Sequence, residues 1–208
     1  DGTVIEGKGI GATGKVPAEV VFNTALTGYE EILTDPSYLG QIVTFTFPHI
    51  GNIGTNDEDI EDLTPAARHG AVGVIFKADI TDPSNYRAVK HLDAWLKARG
   101  IIGLCGVDTR ALTAWIRENG SPNAVIAHDP NGVFDVETLK AEAKAWSGLE
   151  GLDLAKIASS GQTSQWAQTP WIWNEGYGEL TPENATYHVV CLDYGVKAGL
   201  IFCLAREF

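Results

Sequence analysis

VFNTALTGYEEILTDPSYLGQIVTFTFPHIGNIGTN, residues 21–56, sets turn signals between apolar runs that are too short for ordinary helices. Gln41 to Phe47 is rich in β-branched and aromatic residues and predicts a strand, which Pro48 ends. Gly51-Asn52 and Gly54-Thr55-Asn56 then supply residues that tolerate positive φ, so a tight glycine-rich loop follows the strand. Asp35-Pro36-Ser37-Tyr38 has the composition of a type I turn, with Asp at the first position and Pro fixing φ at the second. Ser37 falls at the third position, in the bridge region where many active-site residues sit. A hydroxyl and a backbone N–H there are available to a small polar ligand, or else Ser37 satisfies only its own turn. His49, beside a Pro-Gly turn, reads as a structural residue rather than a catalytic base.

Working outward, residues 2–22 read as short strands joined in a hairpin marked by Gly9, Gly11 and Gly14. GKGIGATG does not reproduce phosphate-loop spacing. The acidic run Asp57, Glu58, Asp59, Glu61, Asp62 lacks the glycine and terminal glutamate of a calcium loop and predicts a solvated loop. Asp82-Pro83 starts a predicted helix carrying Tyr86, Val89, Leu92, Trp95 and Leu96 until Gly100. A strand over 101–107, a helix from Asp108-Thr109 to Asn119-Gly120, a strand over 124–127 and a helix over 135–146 complete a first domain, residues 1–146. Interleaved strands and helices without a strict βαβ repeat give a layered α/β or α+β class.

Residues 147–186 form a connector whose Trp166, Trp171 and Trp173 dock it onto the neighbouring domains, since a loose linker gains nothing from three indoles. Tyr187 to Asp193 reads as a buried-type strand, Tyr194-Gly195 as a turn, and the rest as a helix. Residues 187–208 thus open an α/β domain. A Gly-x-Gly-x-x-Gly turn after a strand, the mark of a dinucleotide site, is missing.

The 208 residues carry a formal net charge of −12, which argues against nucleic acid or an anionic membrane as partner. No apolar run reaches transmembrane length and no basic signal segment opens the sequence, so a cytoplasmic protein is expected. Three cysteines without metal-type spacing predict neither a disulfide framework nor a zinc site. The sequence contains no Met and reads as a fragment. Cys105, in Gly-Leu-Cys-Gly, reads as a buried small apolar residue, and Cys191 and Cys203 as core.

FNTALTGYEEILTDPSYLGQIVT, PHIGNIGTN, ADITDPSNYR, GVDTRALT with IRENG, LDLAK and HVVCLDYGVK occur in one order over nearly the whole chain. Together they identify a sequence that resembles the N-terminal domain of the small, glutamine-handling subunit of carbamoyl-phosphate synthetase, followed by the start of its class I glutamine amidotransferase domain. The resemblance implies a layered β/β/α first domain, then the first strand-turn-helix of an open α/β domain. It implies glutamine hydrolysis by a Cys nucleophile, a base His and an orienting Glu that lie further along, so no catalytic residue is expected among these 208. Cys105 departs from the family's elbow, being followed by Gly106-Val107-Asp108. Ammonia would pass to a large synthetase subunit for carbamoyl phosphate synthesis in the arginine and pyrimidine pathways. ATP and Mg are expected on that subunit only, with no cofactor or metal in this chain. Ser37 matches the family's serine that holds glutamine, and Lys197 matches a lysine near the ammonia route. The other reading is a non-catalytic module that docks a synthetase partner.

Overall fold

Gln41–Phe45 becomes β3 of a six-stranded sheet and is nearly inaccessible from Ile42 onward. In the computed structural model, which describes residues 1–63, 70–181 and 183–207, the strands are β1 (Lys8–Gly11), β2 (Gly14–Asn23), β3, β4 (Gly73–Ile75), β5 (Ile102–Cys105) and β6 (Asn123–His128). Their order is β1-β5-β4-β3-β2-β6. The neighbours from β5 to β2 run parallel, while β1 and β6 add antiparallel edges. Parallel strands need cover on both faces. Alternation along β3 supplies it: Val43 and Phe45 enter a core with Tyr29, Leu33, Phe76, Leu92, Trp95 and Leu96, and Ile42 enters a second with Val20, Ile75, Ile102, Ile116 and Ile126.

Helices α1 (Tyr29–Thr34) and α2 (Leu92–Arg99) furnish the first core, and α3 (Thr109–Asn119) the second. Asp108 caps α3 by accepting from Ala111 N–H at 3.1 Å, and Asp135 caps α4 (Val136–Ala145) by accepting from Thr138 N–H at 3.1 Å. Short α5 (Leu154–Ala158) and then α6 (Ala198–Glu207) follow. The layered α/β class is the one the sequence predicts, with a curled sheet in place.

Several local expectations are corrected. Residues 2–22 form no hairpin, because β1 pairs with β5 and β2 with β3 and β6. Between them Gly11 N–H donates to Asp93 Oδ1 at 2.7 Å and Ala12 N–H to the Ile101 carbonyl at 2.8 Å. The chain is pinned to α2 and β5 instead of folding back. The helix expected from Asp82 begins only at Leu92, capped by His91 Nδ1, which accepts from Asp93 N–H at 3.1 Å. Upstream, the amides of Ser84 and Val89 are committed to the carbonyls of Asn52 and Thr55. Tyr187 to Asp193 joins no strand, and Val190 and Leu192 are exposed, because no strand among the described residues lies alongside to take its backbone groups. Cys191 and Cys203 are exposed rather than core for the same lack of a covering layer.

The acidic loop is anchored, not merely solvated. Asp59 takes a two-pronged bond from Arg87, at 3.0 and 2.8 Å, and Glu58 a third at 2.9 Å. The Asp62 side chain, only 3% exposed, pairs with Arg99. Nearby Glu30 is buried, and its two carboxyl oxygens accept from Asn56 N–H at 3.1 and 3.2 Å. Burial, reinforced by Asp59 and Glu31, pushes the Glu30 carboxyl from 4.5 up to about 8, against the pull of the Asn56 N–H and Arg87. Between those two values the folded chain binds a proton that the unfolded chain has lost, so stability falls as pH rises through that window. Glu30→Gln should flatten this slope and leave the variant about 1–3 kcal/mol more stable than the parent near pH 8.5. Urea unfolding at pH 5 and 8.5 checks it: equal slopes for the two proteins would show that Glu30 titrates normally.

Candidate functional site

Helix α1 stops where Asp35 turns extended, at φ −66° and ψ 121°, because Pro36 follows and excludes the helical region for the residue before it. Tyr38 N–H then donates to the Asp35 carbonyl at 3.0 Å, closing the predicted turn as a 3₁₀ turn over Pro36–Tyr38. Asp35 is the hub of what surrounds it. One carboxylate oxygen accepts Ser37 N–H at 2.8 Å and the other accepts Lys197 Nζ at 2.9 Å. The Asp35 side chain is 12% exposed. Burial works to raise its pKa, but the Lys197 ammonium and the N–H and hydroxyl of Ser37 together hold it below the ordinary carboxylate value. The same bond raises Lys197 above its ordinary value.

Both residues singled out from the sequence therefore meet on one carboxylate, although Lys197 lies 162 positions from Asp35. The Ser37 N–H is not free, as the turn reading allowed, since Asp35 consumes it; the residue itself is exposed. Asp35 went unrecognised as more than a turn former, because its long-range partner leaves no local trace. Lys197 is held in place by the preceding loop. Asp193 accepts the N–H groups of Gly195, Val196 and Ser160 at 2.8, 2.9 and 2.7 Å, and these outweigh burial and hold its carboxyl down at about 2. Ser159 Oγ donates to the Asp193 carbonyl at 3.0 Å, tying the end of α5 to the same loop. Gly195, at φ +98°, closes over α5, where an added Cβ would meet Ala158 Cβ at 2.9 Å.

Across a narrow cleft lined by Thr34, Pro36, Glu61, Ser160, Asp193 and Val196, Glu61 caps α6 from a distance. Its carbonyl accepts Ala198 N–H at 3.2 Å and its carboxylate accepts Gly199 N–H at 2.7 Å. Thr34 Oγ1 accepts Glu61 N–H at 2.8 Å and donates to the Glu30 carbonyl at 2.7 Å. The segment that carries Lys197 is thus gripped at two points, Asp35 and Glu61.

The arrangement presents a fixed ion pair beside an exposed serine, which suits it to orienting a polar ligand. It holds no activated nucleophile among these groups. Cys105 is buried with its Sγ 3.1 Å from Asp79 Oδ1, and burial followed by that carboxylate pushes its thiol up to about 11. It is the buried cysteine expected. His49 is exposed and its ring stands edge-on to Phe47 at 6.2 Å. Among the described residues, no group of three or more His, Cys, Asp or Glu side chains is set to hold a metal. No described helix is long and apolar enough to cross a membrane.

Comparison with known proteins supplies the family. The model of the family described as carbamoyl-phosphate synthase small chain, CPSase domain, matches residues 1–126. The chain belongs to that family. Among curated relatives it is 84% identical over 201 residues to the carbamoyl phosphate synthase small chain of Rhizobium meliloti and 83% identical over 201 residues to that of Agrobacterium fabrum, in each case over 97% of this chain and 50% of the relative. The small chain of Mesorhizobium japonicum is 71% identical over 205 residues, 99% of this chain and 51% of the relative. The chain spans about half the length of these relatives.

Proposed function

We propose that the chain is part of the small subunit of a glutamine-dependent carbamoyl-phosphate synthetase, a cytoplasmic enzyme that hydrolyses glutamine and passes the ammonia to a large synthetase subunit. The carbamoyl phosphate so formed would serve arginine and pyrimidine biosynthesis, with ATP and Mg bound by the large subunit. In this reading Ser37 supplies the first domain's side of the glutamine pocket and Lys197 stands by the ammonia path. The observation that carries it is the convergence of Ser37 and Lys197 on Asp35 in a chain of this family. That geometry supports a bound polar ligand at the junction of the two parts of the chain. Thiolate attack on a glutamine amide needs an accessible, activated cysteine. Cys105 is neither, and in this reading the attacking thiol belongs to the rest of the small subunit.

The complete small subunit, mixed with the large subunit, is expected to make carbamoyl phosphate from glutamine, ATP and bicarbonate. A mixture that works with added ammonia but not with glutamine would refute the assignment. The 208-residue chain alone is expected to release no ammonia from glutamine, and release above background would place a competent thiol among Cys105, Cys191 and Cys203. A second reading, a docking module without chemistry of its own, fits the isolated chain because none of these cysteines sits in the Asp35 site.

A further inference from the structure

The indoles of the connector divide into two kinds. Trp166 meets Phe202 of α6 edge-on at 4.9 Å, and Tyr177 stacks on the same ring at 5.0 Å. Tyr177 also donates its hydroxyl to the Glu58 carbonyl at 3.4 Å, so these rings fasten the connector. Trp171 lies against the Arg87 guanidinium, 5.3 Å from ring centroid to carbon, and Arg87 is itself held by Asp59 and Glu58. Trp173 does something else. It is 64% exposed and packs edge-on against Trp171 at 5.8 Å and against Tyr86 at 6.4 Å, and Tyr86 is 75% exposed. Ile172 beside it is exposed as well.

A short bonded turn holds the display. Ile172 N–H donates to the Gly176 carbonyl at 2.9 Å and Gly176 N–H returns to Ile172 at 2.8 Å, with Asn174 in the left-handed region at φ 66° between them. Fixing the connector needs only Trp166, Tyr177 and Trp171. A further indole and phenol add only edge-on ring contacts to that fastening and leave most of their own surface in water, with an exposed isoleucine at their side. Trp, Tyr and Arg in one cluster is the composition of an interface hot spot. Around it stand Asp57, Glu58 and Glu175 against Lys90, with Arg87 already neutralised by its own carboxylates, on a chain of net charge −12.

We propose that Tyr86, Ile172 and Trp173 form the anchor by which this chain binds the large synthetase subunit, which would meet them with an apolar slot bordered by Lys and Arg. The inference rests on the function proposed above. It is tested with the complete small subunit, measuring its affinity for the large subunit alongside its melting temperature and its own glutamine hydrolysis. Trp173→Ala and Tyr86→Ala are each expected to weaken association by roughly 30-fold while leaving the hydrolysis by the free subunit unchanged and lowering the melting temperature only by the loss of their edge-on ring contacts. Trp173→Phe should keep most of the affinity. Asp57→Lys combined with Glu175→Lys should slow association by roughly tenfold at low salt and less at high salt. Unchanged affinity in Trp173→Ala would overturn the proposal. So would a fall in melting temperature or free-subunit hydrolysis without loss of affinity, which would mean that the rest of the same polypeptide covers the patch. Loss of self-association alone would assign the patch to a second copy. A parent subunit that binds no large subunit at all would remove the proposed function along with the anchor, an outcome distinct from the failure of the variants.

Discussion

Ser37→Ala in the complete small subunit should lower glutamine-dependent kcat/KM by roughly ten- to a hundred-fold, equivalent to the loss of one hydrogen bond to a charged group at about 1.5–3 kcal/mol. Ser37 is exposed on a turn fixed by Pro36 and by the bond from its own N–H to the Asp35 carboxylate, so the turn does not depend on the side chain that is removed. Alanine keeps the backbone N–H that bonds to Asp35, and the turn should survive. Synthesis from added ammonia bypasses glutamine binding and should stay near the parent rate. Equal losses with both nitrogen sources would instead make Ser37 a structural residue, one that keeps Asp35 and Lys197 in register.

Gly11→Ala should cost about 2–4 kcal/mol of stability. Two effects add at this position. The residue holds φ +69°, which an L side chain adopts only with strain, and a Cβ there would come within 2.3 Å of the Ile101 carbonyl oxygen and 3.1 Å of Leu96 Cβ. Relief requires the chain to leave α2 and β5, breaking the Gly11 N–H bond to Asp93 and the Ala12 N–H bond to Ile101. Urea unfolding measures the loss, and a change below about 0.5 kcal/mol would mean that this corner can move aside freely. Gly100, also at positive φ but with open space where its Cβ would stand, provides the control for strain without a clash.

Elements whose signals are local were legible in the sequence. The turn at Asp35-Pro36, the strand from Gln41 and the helices capped by Asp108 and Asp135 each carry their instructions within a few residues. What escaped depends on groups far away in the chain. Alternation and glycines around residue 11 suit a hairpin, but β1 finds a better partner in β5, about ninety residues on. Tyr86 and Val89 keep helical spacing, yet the loop at Asn52 and Thr55 claims the backbone of that stretch first. The run from Tyr187 has strand composition and no strand to pair with, because β propensity is realised only against a neighbour. In the site, Ser37 and Lys197 were recognisable from the resemblance, whereas Asp35, Asp193 and Glu61 owe their roles to bonds that span long stretches of chain.

The grip of Glu61 on α6 also sets an order of events during synthesis. A ten-residue helix is marginal by itself in water, and this one meets its capping carbonyl and carboxylate on a loop translated 138 residues earlier. By the time the ribosome releases Ala198 and Gly199, the loop that waits for them has had the time of that whole stretch to settle against Thr34. The earlier part of the chain then acts as a mould for α6. Slowing the folding of that earlier part would delay α6 even where no residue of the helix has been altered.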